Sequence, residues 1–481
     1  MKRIAVIACT LLLLAFLPAA SAFCEAQPIT VTIYNQNRGL INEVRDLSIP
    51  KGIHLLEFRD VAETVDPTSL QVRSLTAPES FKVLDQNYEY DLINVQNLLN
   101  KYISKRLKII VPDPQGPPEA RVVRDAVLLA NNDRPIFQID ASDTSPSSPG
   151  RSEIYVGSYD AILLPEIPEG LRPQPTLLWL VDNRGPEQHK VEVSYLAGNI
   201  NWKADYVLRL DRESTQAALS GWVTLDNQSG KAFKNATLKL VAGDVHMVSR
   251  PERQVERARA LMAPSPMDEA MRQEEFFEYH LYSLSRPVDI ANRQTKQVGL
   301  LQSPQVKVER RLVGRWTSSR GDSGRPALEK QKLSVLLHFK NTTENGIGIP
   351  LPKGVARAYQ ESSDGSVIFI GEDYIDHTGK DRDVELKMGE SFDVTVERRQ
   401  TDFRKIGTNT VRFSWELKIK NSKDVTQRVE LEEGLPGTWK MVSSNTKYEK
   451  MDAYRIRFIV DAPPSAKGAE AVVTYEVEAS W

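Results

Sequence analysis

From about residue 28 onward, apolar residues recur at every second position. The clearest run is Val411, Phe413, Trp415, Leu417 and Ile419, with Arg412, Ser414, Glu416, Lys418 and Lys420 between them. Successive side chains of a strand point to opposite faces, so this period buries one face and leaves a charged face in water. Ile456, Phe458 and Val460 repeat the pattern, as do Val473, Tyr475, Val477, Ala479 and Trp481 at the end. Earlier cases run from Ile29 to Tyr34, Val191 to Tyr195, Tyr206 to Leu210, Trp222 to Leu225 and Val335 to Phe339. Most are bounded by Gly, Asn, Asp or Pro, which supply turns. A chain patterned in this way folds mainly as β-sheet.

Composition narrows the function. Of 481 residues, 41% are hydrophobic, enough for packed domains. The 62 basic residues are balanced by 64 acidic ones, which argues against a nucleic-acid binder, whose phosphate contacts need a basic face. Two cysteines cannot form a thiolate zinc cluster or a disulfide scaffold. The start reads as a secretory signal: Lys2 and Arg3, an apolar run from Ile4 to Leu17, then Ala20-Ser21-Ala22 as a small-x-small cleavage site. Cleavage after Ala22 removes Cys9 and leaves Cys24 without an internal partner. Phe23 just before Cys24 is too large for a lipidation site. No later apolar stretch approaches the roughly 20 residues of a membrane helix. The expected location is outside the cytoplasm, in the periplasm or at the cell surface.

The expected organisation is a signal at 1–22, an N-terminal β region at 28–90, a helix plus small barrel-like insert at 91–165, a central β region at 176–248, irregular or partly helical excursions with strand segments at 249–330, and a C-terminal β-sandwich at 331–481. The helix is carried by Leu92, Val95, Leu98, Leu99 and Tyr102, with Asp91 as N-cap. Five short strands follow, Leu107 to Val111, Val122 to Leu129, Pro135 to Ile139, Glu153 to Val156 and Ala161 to Leu164, a count that suits an SH3- or Sm-like barrel. Pro165 to Pro175 holds four prolines and reads as a linker. The fold class is therefore mainly β and multi-domain, with immunoglobulin-like sandwich regions, an inserted small barrel and one or two short helices.

Several ordered stretches resemble a known family. They include Trp202-Lys203-Ala204-Asp205-Tyr206, Gly221 to Gly230, Asn235-Ala236-Thr237-Leu238, Leu240-Val241-Ala242-Gly243, Phe277 to Tyr282, Leu351-Pro352-Lys353-Gly354 and Phe369-Ile370-Gly371-Glu372-Asp373. Together they resemble the exported β-rich domain-of-unknown-function family that includes the mucoidy-inhibitor-A-like proteins, over about Thr176 to Trp481. The resemblance implies an envelope-associated β protein and supplies no catalytic residues. Coiled-coil members exist in that family, whereas this chain has no heptad run.

No catalytic motif is present. The six histidines show no metal spacing, and there is no Gly-x-Ser-x-Gly elbow, phosphate loop or dinucleotide fingerprint. Glu278 and His280, two apart, would share one face of a strand and could meet a metal or a proton. Asp373, Asp376 and His377, within the acidic stretch Glu372 to Asp383, could offer oxygen ligands, although the spacing does not match a calcium loop. Ser444-Asn445-Thr446-Lys447 fits Ser-x-x-Lys but sits between strands rather than at a helix start. Arg320-Gly321-Asp322 is a tripeptide in a polar loop. Trp222 and Trp415 fall in phase with core positions, while Trp316 and Trp439, in loop contexts, are the candidates for stacking on a sugar.

These readings favour a non-enzymatic, exported envelope protein that acts as a binding or scaffold module, with no cofactor and a protein or polysaccharide partner. The competing readings are a polysaccharide hydrolase or lyase using paired carboxylates, and an outer-membrane β-barrel, suggested by the aromatic end of the last strand.

Overall fold

The computed structural model describes residues 29–89, 91–113, 116–139, 152–243, 245–246, 271–318, 328–465 and 470–481. The expected signal, Cys24, residues 249–270 of the expected excursions and Arg320-Gly321-Asp322 lie outside these residues.

Thirty strands dominate the described chain. The N-terminal set is β1 (Ile29–Tyr34), β2 (Arg38–Ser48), β3 (Gly52–Arg59), β4 (Gln71–Ser74) and β5 (Phe81–Glu89). Next come helix α1 (Val95–Lys101) and β6 (Arg106–Pro112), β7 (Arg121–Ala130), β8 (Ile136–Ile139), β9 (Glu153–Tyr155) and β10 (Ala161–Leu163). The middle holds β11 (Thr176–Asn183), β12 (Gln188–Gly198), β13 (Ile200–Leu210), β14 (Gln216–Asn227), β15 (Phe233–Ala242), β16 (Arg272–Phe276), β17 (Tyr279–Ser283), β18 (Val288–Ile290) and β19 (Gln294–Lys307). The last third holds β20 (Glu309–Thr317), β21 (Leu328–Lys340), β22 (Gly354–Glu361), β23 (Val367–Ile375), β24 (Asp383–Lys405), β25 (Thr410–Asn421), β26 (Gln427–Gly434), β27 (Thr438–Ser444), β28 (Tyr448–Lys450), β29 (Arg455–Ala462) and β30 (Ala471–Ser480).

The first core is built between sheets whose strands are distant in sequence. One sheet runs β16-β17-β15-β1-β2-β12-β4, with β18 beside β15, and another runs β19-β14-β13-β22-β23. Val31, Ile33, Val193 and Tyr195 from the first join Trp202, Tyr206, Leu219 and Val223 from the second in one buried cluster. The three-stranded sheet β3-β11-β5 adds Phe58, Trp179 and Val181, with the Phe58 and Trp179 rings stacked 5.0 Å apart. Because β1 pairs in parallel with β15 and β2 pairs with β12, the 28–90 and 176–248 stretches form one unit rather than two.

The insert keeps its own core. Its sheet order is β10-β6-β7-β8-β9, with Leu99 and Tyr102 from the helix end packed on Leu107, Ile109, Leu128 and Phe137. All five expected strands are present. The helix cap differs from expectation: Asn94, in an extended conformation, accepts from the Asn97 amide at 2.8 Å. Asp91 lies a turn too early and pairs with Lys101 at 3.2 Å instead. A cap must sit next to the first helical residue to reach the free amides, and only Asn94 does.

The second core is made by one nine-stranded sheet, β27-β30-β25-β24-β21-β20-β26-β29-β28, folded over itself. Val394, Phe413, Trp415, Val473 and Tyr475 from one half meet Leu312, Val429, Leu431, Ile456 and Phe458 from the other. The alternation that opened the sequence reading is what fills it: Val411 to Ile419 are buried at odd positions on β25. Trp415 is in this core, but Trp222 is half-buried. On β14, Ala217, Leu219, Val223 and Leu225 hold the odd, core-facing phase throughout, and Trp222 falls on the opposite face.

Strands β21 and β24 run through both cores. Leu337, Phe339, Val384 and Leu386 pack in the first core, while Leu333, Val394 and Val396 pack in the second. Register shifts between Lys332 and Ser334 and between Val335 and Leu336 mark the change of core along this ladder. Among its described residues the 249–330 stretch carries β16 to β20 and the start of β21, and β20 belongs to the nine-stranded sheet. β16 and β17 pair with each other as a hairpin, whereas β19 and β20 find partners in β14 and β26, distant in sequence.

Candidate functional site

Strands β20 and β26 are parallel neighbours that align Arg315 with Glu432, Trp316 with Glu433 and Thr317 with Gly434. Where they end, a pocket of about 320 Å³ opens beside the turn that leads into β29. Trp316, Leu435 and Tyr454 supply its apolar lining, and Arg315, Glu432, Thr317 and Arg455 its polar lining. Trp316 is only 8% exposed, whereas Tyr454 is 61% exposed. The Leu435 amide donates to the Tyr454 carbonyl at 2.7 Å, which ties the turn to the end of β26.

The charges of the pocket are matched internally. Arg315 donates from Nε to Glu432 at 2.8 Å and from Nη2 to Glu385 at 2.9 Å. These carboxylates hold its guanidinium above the ordinary arginine range, the Glu432 hydrogen bond contributing most. Arg455 donates from Nε to Asp452 at 2.7 Å. Glu432 is the sole carboxylate among the residues lining the pocket.

Next to the pocket, on the inward side of β26, lies a buried ion pair. Glu433 is fully buried and accepts from Arg398 Nε at 3.0 Å and Nη2 at 3.1 Å. Arg398 also donates to Ser318 Oγ at 2.9 Å, and its guanidinium carbon sits 3.3 Å from the centre of the Trp415 ring. Burial pushes Glu433 above the usual carboxylate range, and the Arg398 charge only partly offsets it. The bidentate geometry rigidifies the ends of β20 and β26 from which the pocket is built.

The two tryptophans singled out in the sequence meet around this pocket in different ways. Both lie on strands rather than in loops: Trp316 on β20 and Trp439 on β27. Trp316 forms part of the lining. Trp439 does not; its indole N–H donates to the Ala453 carbonyl at 2.8 Å, one residue before Tyr454, and its ring packs on Tyr448 with centroids 6.3 Å apart. Sequence reasoning missed Tyr454 and Arg455, which sit in a short polar stretch with no signal of their own.

The other candidates are not brought together. Glu278 occupies the turn between β16 and β17, not a strand position, so it does not share a face with His280. Phe277 and Glu278 form the two-residue connection of a hairpin, and His280 Nδ1 lies 3.0 Å from Gln273 Nε2. Asp373 accepts from the Lys387 amide at 2.6 Å and the Tyr374 amide at 2.8 Å. Asp376 accepts from the His377 amide at 2.8 Å, and His377 Nδ1 accepts from the Lys353 amide at 3.3 Å. Backbone amides thus occupy these acids, and among the described residues no three His, Cys, Asp or Glu side chains group closely enough to hold a metal. Ser444 donates to the Thr446 carbonyl at 2.7 Å, closing the turn between β27 and β28.

A second buried charge cluster lies in the first core. Lys231 Nζ is 3.4 Å from Glu43 and also donates to the Asp60 carbonyl, while Arg45 reaches Glu43 at 2.8 Å. Burial, reinforced by the Glu43 charge, holds the Tyr195 hydroxyl well above the ordinary tyrosine range. Lys231 and Glu43 are each 2% exposed, which makes this cluster part of the scaffold.

A family model described as a domain of unknown function, DUF4139, matches residues 191–441, just over half of the chain. The chain belongs to the DUF4139 family. The DUF4139 segment begins in β12 and ends in β27, so it includes β20 and β26 and excludes the insert. It contains Trp316, Glu432, Leu435 and Trp439 of the pocket region, while Tyr454 and Arg455 lie beyond it. No curated protein matches the chain.

Proposed function

We propose that this DUF4139 protein is a non-enzymatic binding or scaffold module of the cell envelope, exported by its N-terminal signal to the periplasm or cell surface, and related to the mucoidy-inhibitor-A-like proteins. The pocket at the ends of β20 and β26 is its recognition site for a polysaccharide or protein partner. The observation that carries this reading is the state of Glu432: the one carboxylate of the pocket lining is held by Arg315 at 2.8 Å. A glycosidase needs two carboxyl groups facing the substrate, roughly 5–10 Å apart, one able to donate a proton. A pocket with one ion-paired acid and an exposed aromatic binds rather than cleaves.

Against a membrane barrel stands the direction of the alternation. On β25 the apolar residues face the second core, while Arg412, Glu416, Lys418 and Lys420 occupy the other face, where Arg412 pairs with Glu478 and Lys418 with Glu470. A lipid-facing band would be apolar on that side.

The test is recovery of partners by the full-length exported protein from envelope extract, compared with its Tyr454→Ala variant. Binding that depends on Tyr454 supports the reading. Release of new reducing ends or unsaturated sugars from envelope polysaccharide would point to the hydrolase or lyase, and a requirement for detergent after high-salt washing to the barrel.

A further inference from the structure

We infer that the pocket takes an uncharged sugar residue, an assignment that rests on the pocket being the binding site. Charge decides the class of ligand. The two guanidinium groups of the lining, Arg315 and Arg455, are already engaged by three carboxylates: Glu432, Glu385 and Asp452. An anionic ligand would find no unmatched cation and would meet the surplus acid, and a desolvated charge without a partner is costly. A cationic ligand would have to compete with Arg315 for Glu432, the one carboxylate among the lining residues.

The remaining chemistry suits hydroxyl groups. Each guanidinium has N–H donors beyond those engaged, and Glu432 accepts from Arg315 through Oε2, leaving Oε1 as an acceptor among the described residues. Thr317 adds a hydroxyl to the lining. Trp316 is a second-core residue whose buried indole N–H is out of a ligand's reach, so it contributes apolar lining alone. A sugar hydroxyl both donates and accepts, so it can serve mixed groups of this kind, which an aromatic or aliphatic peptide side chain cannot. The exposed Tyr454 ring offers a flat apolar face for the C–H side of a pyranose, as aromatic platforms do. At about 320 Å³ the pocket is at the small end of ligand sites, roughly 300–1,000 Å³, which fits a terminal or branch residue rather than a long buried chain.

The experiment uses the full exported chain titrated with uncharged gluco-, galacto- and manno-oligosaccharides and, in parallel, with oligogalacturonate, followed by calorimetry at low and high salt. The expected result is binding of at least one uncharged series, insensitive to salt, weakened about tenfold by Tyr454→Ala and retained by Tyr454→Phe. Tyr454 is exposed, and an unchanged melting temperature for the variant confirms that its fold is intact. Binding of oligogalacturonate alone, lost on Tyr454→Ala, overturns the uncharged-sugar assignment and leaves the pocket as a binding site. Sugar binding indifferent to Tyr454→Ala overturns both. Absence of binding in every series overturns the sugar assignment, and partner recovery by the Tyr454→Ala protein then decides the pocket reading separately.

Discussion

The indole N–H of Trp439 donates to the carbonyl of Ala453 at 2.8 Å, and through that single bond a strand at one edge of the second sheet holds the turn that presents Tyr454. The Trp439 ring is also approached by Lys450 at 5.0 Å and packs on Tyr448. Trp439→Phe keeps most of the ring and removes the donor. The expected cost to stability is about 1 kcal/mol, and partner binding falls as well because the turn loses its tie to β27 and keeps its tie to the end of β26 through the Leu435 amide. Chemical denaturation and the partner-recovery assay, run on the same protein, check the two effects.

The two buried ion pairs should respond differently to loss of their cation. Glu433 has Arg398 as its one cationic partner among the described residues, so Arg398→Met strands a fully buried acid and should cost about 3–5 kcal/mol. Glu43 keeps Arg45 at 2.8 Å when Lys231 is replaced, so Lys231→Met should cost about 1–3 kcal/mol. Urea denaturation of both variants tests the order. Equal losses would contradict the view that the second partner matters.

Gly354 ends the Leu351-Pro352-Lys353-Gly354 stretch and lies against β13, where a Cβ would land on the Ala204 carbonyl oxygen. Gly371, at φ +151°, is similarly close to the Met388 carbonyl oxygen. Backbone cannot retreat as a flexible side chain can. Gly354→Ala is expected to destabilise the chain by about 1–3 kcal/mol through forced separation of β13 and β22, seen as a lower melting temperature. Gly365→Ala is the control for local crowding alone: a Cβ there meets nothing within 4 Å, so any loss comes from its φ of +85°.

Acid should weaken the fold, and the sign follows from the ion-paired carboxylates. Hydrogen bonds from Arg73, Arg311 and Lys420 hold Glu192, Glu309 and Glu397 below the usual carboxylate range. A group with a lowered folded-state pKa stabilises above its unfolded value, about 4.3, and that contribution is lost as the pH falls through the folded value. Glu433 has the opposite sign, since burial raises it: its contribution is present below the unfolded value and lost as the pH rises through the folded one. Melting temperature should therefore fall below about pH 4, and Glu192→Gln should make that fall shallower.

Much of the β architecture was legible because alternation is a local signal. The odd positions of Val411 to Ile419 are buried, and the five strands of the insert stand where short apolar runs separated by turns put them. The strands at 294–317 were not legible as such, because Pro304 and interspersed charges blur the period while distant β14 and β26 supply the pairing. Trp222 shows the same limit on a smaller scale: Leu219, Val223 and Leu225 keep the buried odd phase of β14 without a break, and Trp222, although apolar, lies on the other face.

By itself the sequence determined that the chain would form many short amphipathic strands with charged outer faces, because side-chain direction in a strand depends only on the parity of position. Tertiary structure alone decided that Thr30 lies beside Thr237 and that Leu337 and Leu333, four residues apart on β21, serve different cores. It alone gathered Trp316, Glu432 and Tyr454 around one pocket. Such pairings are fixed by which distant faces complement each other in shape and polarity, and no short stretch of sequence carries that information.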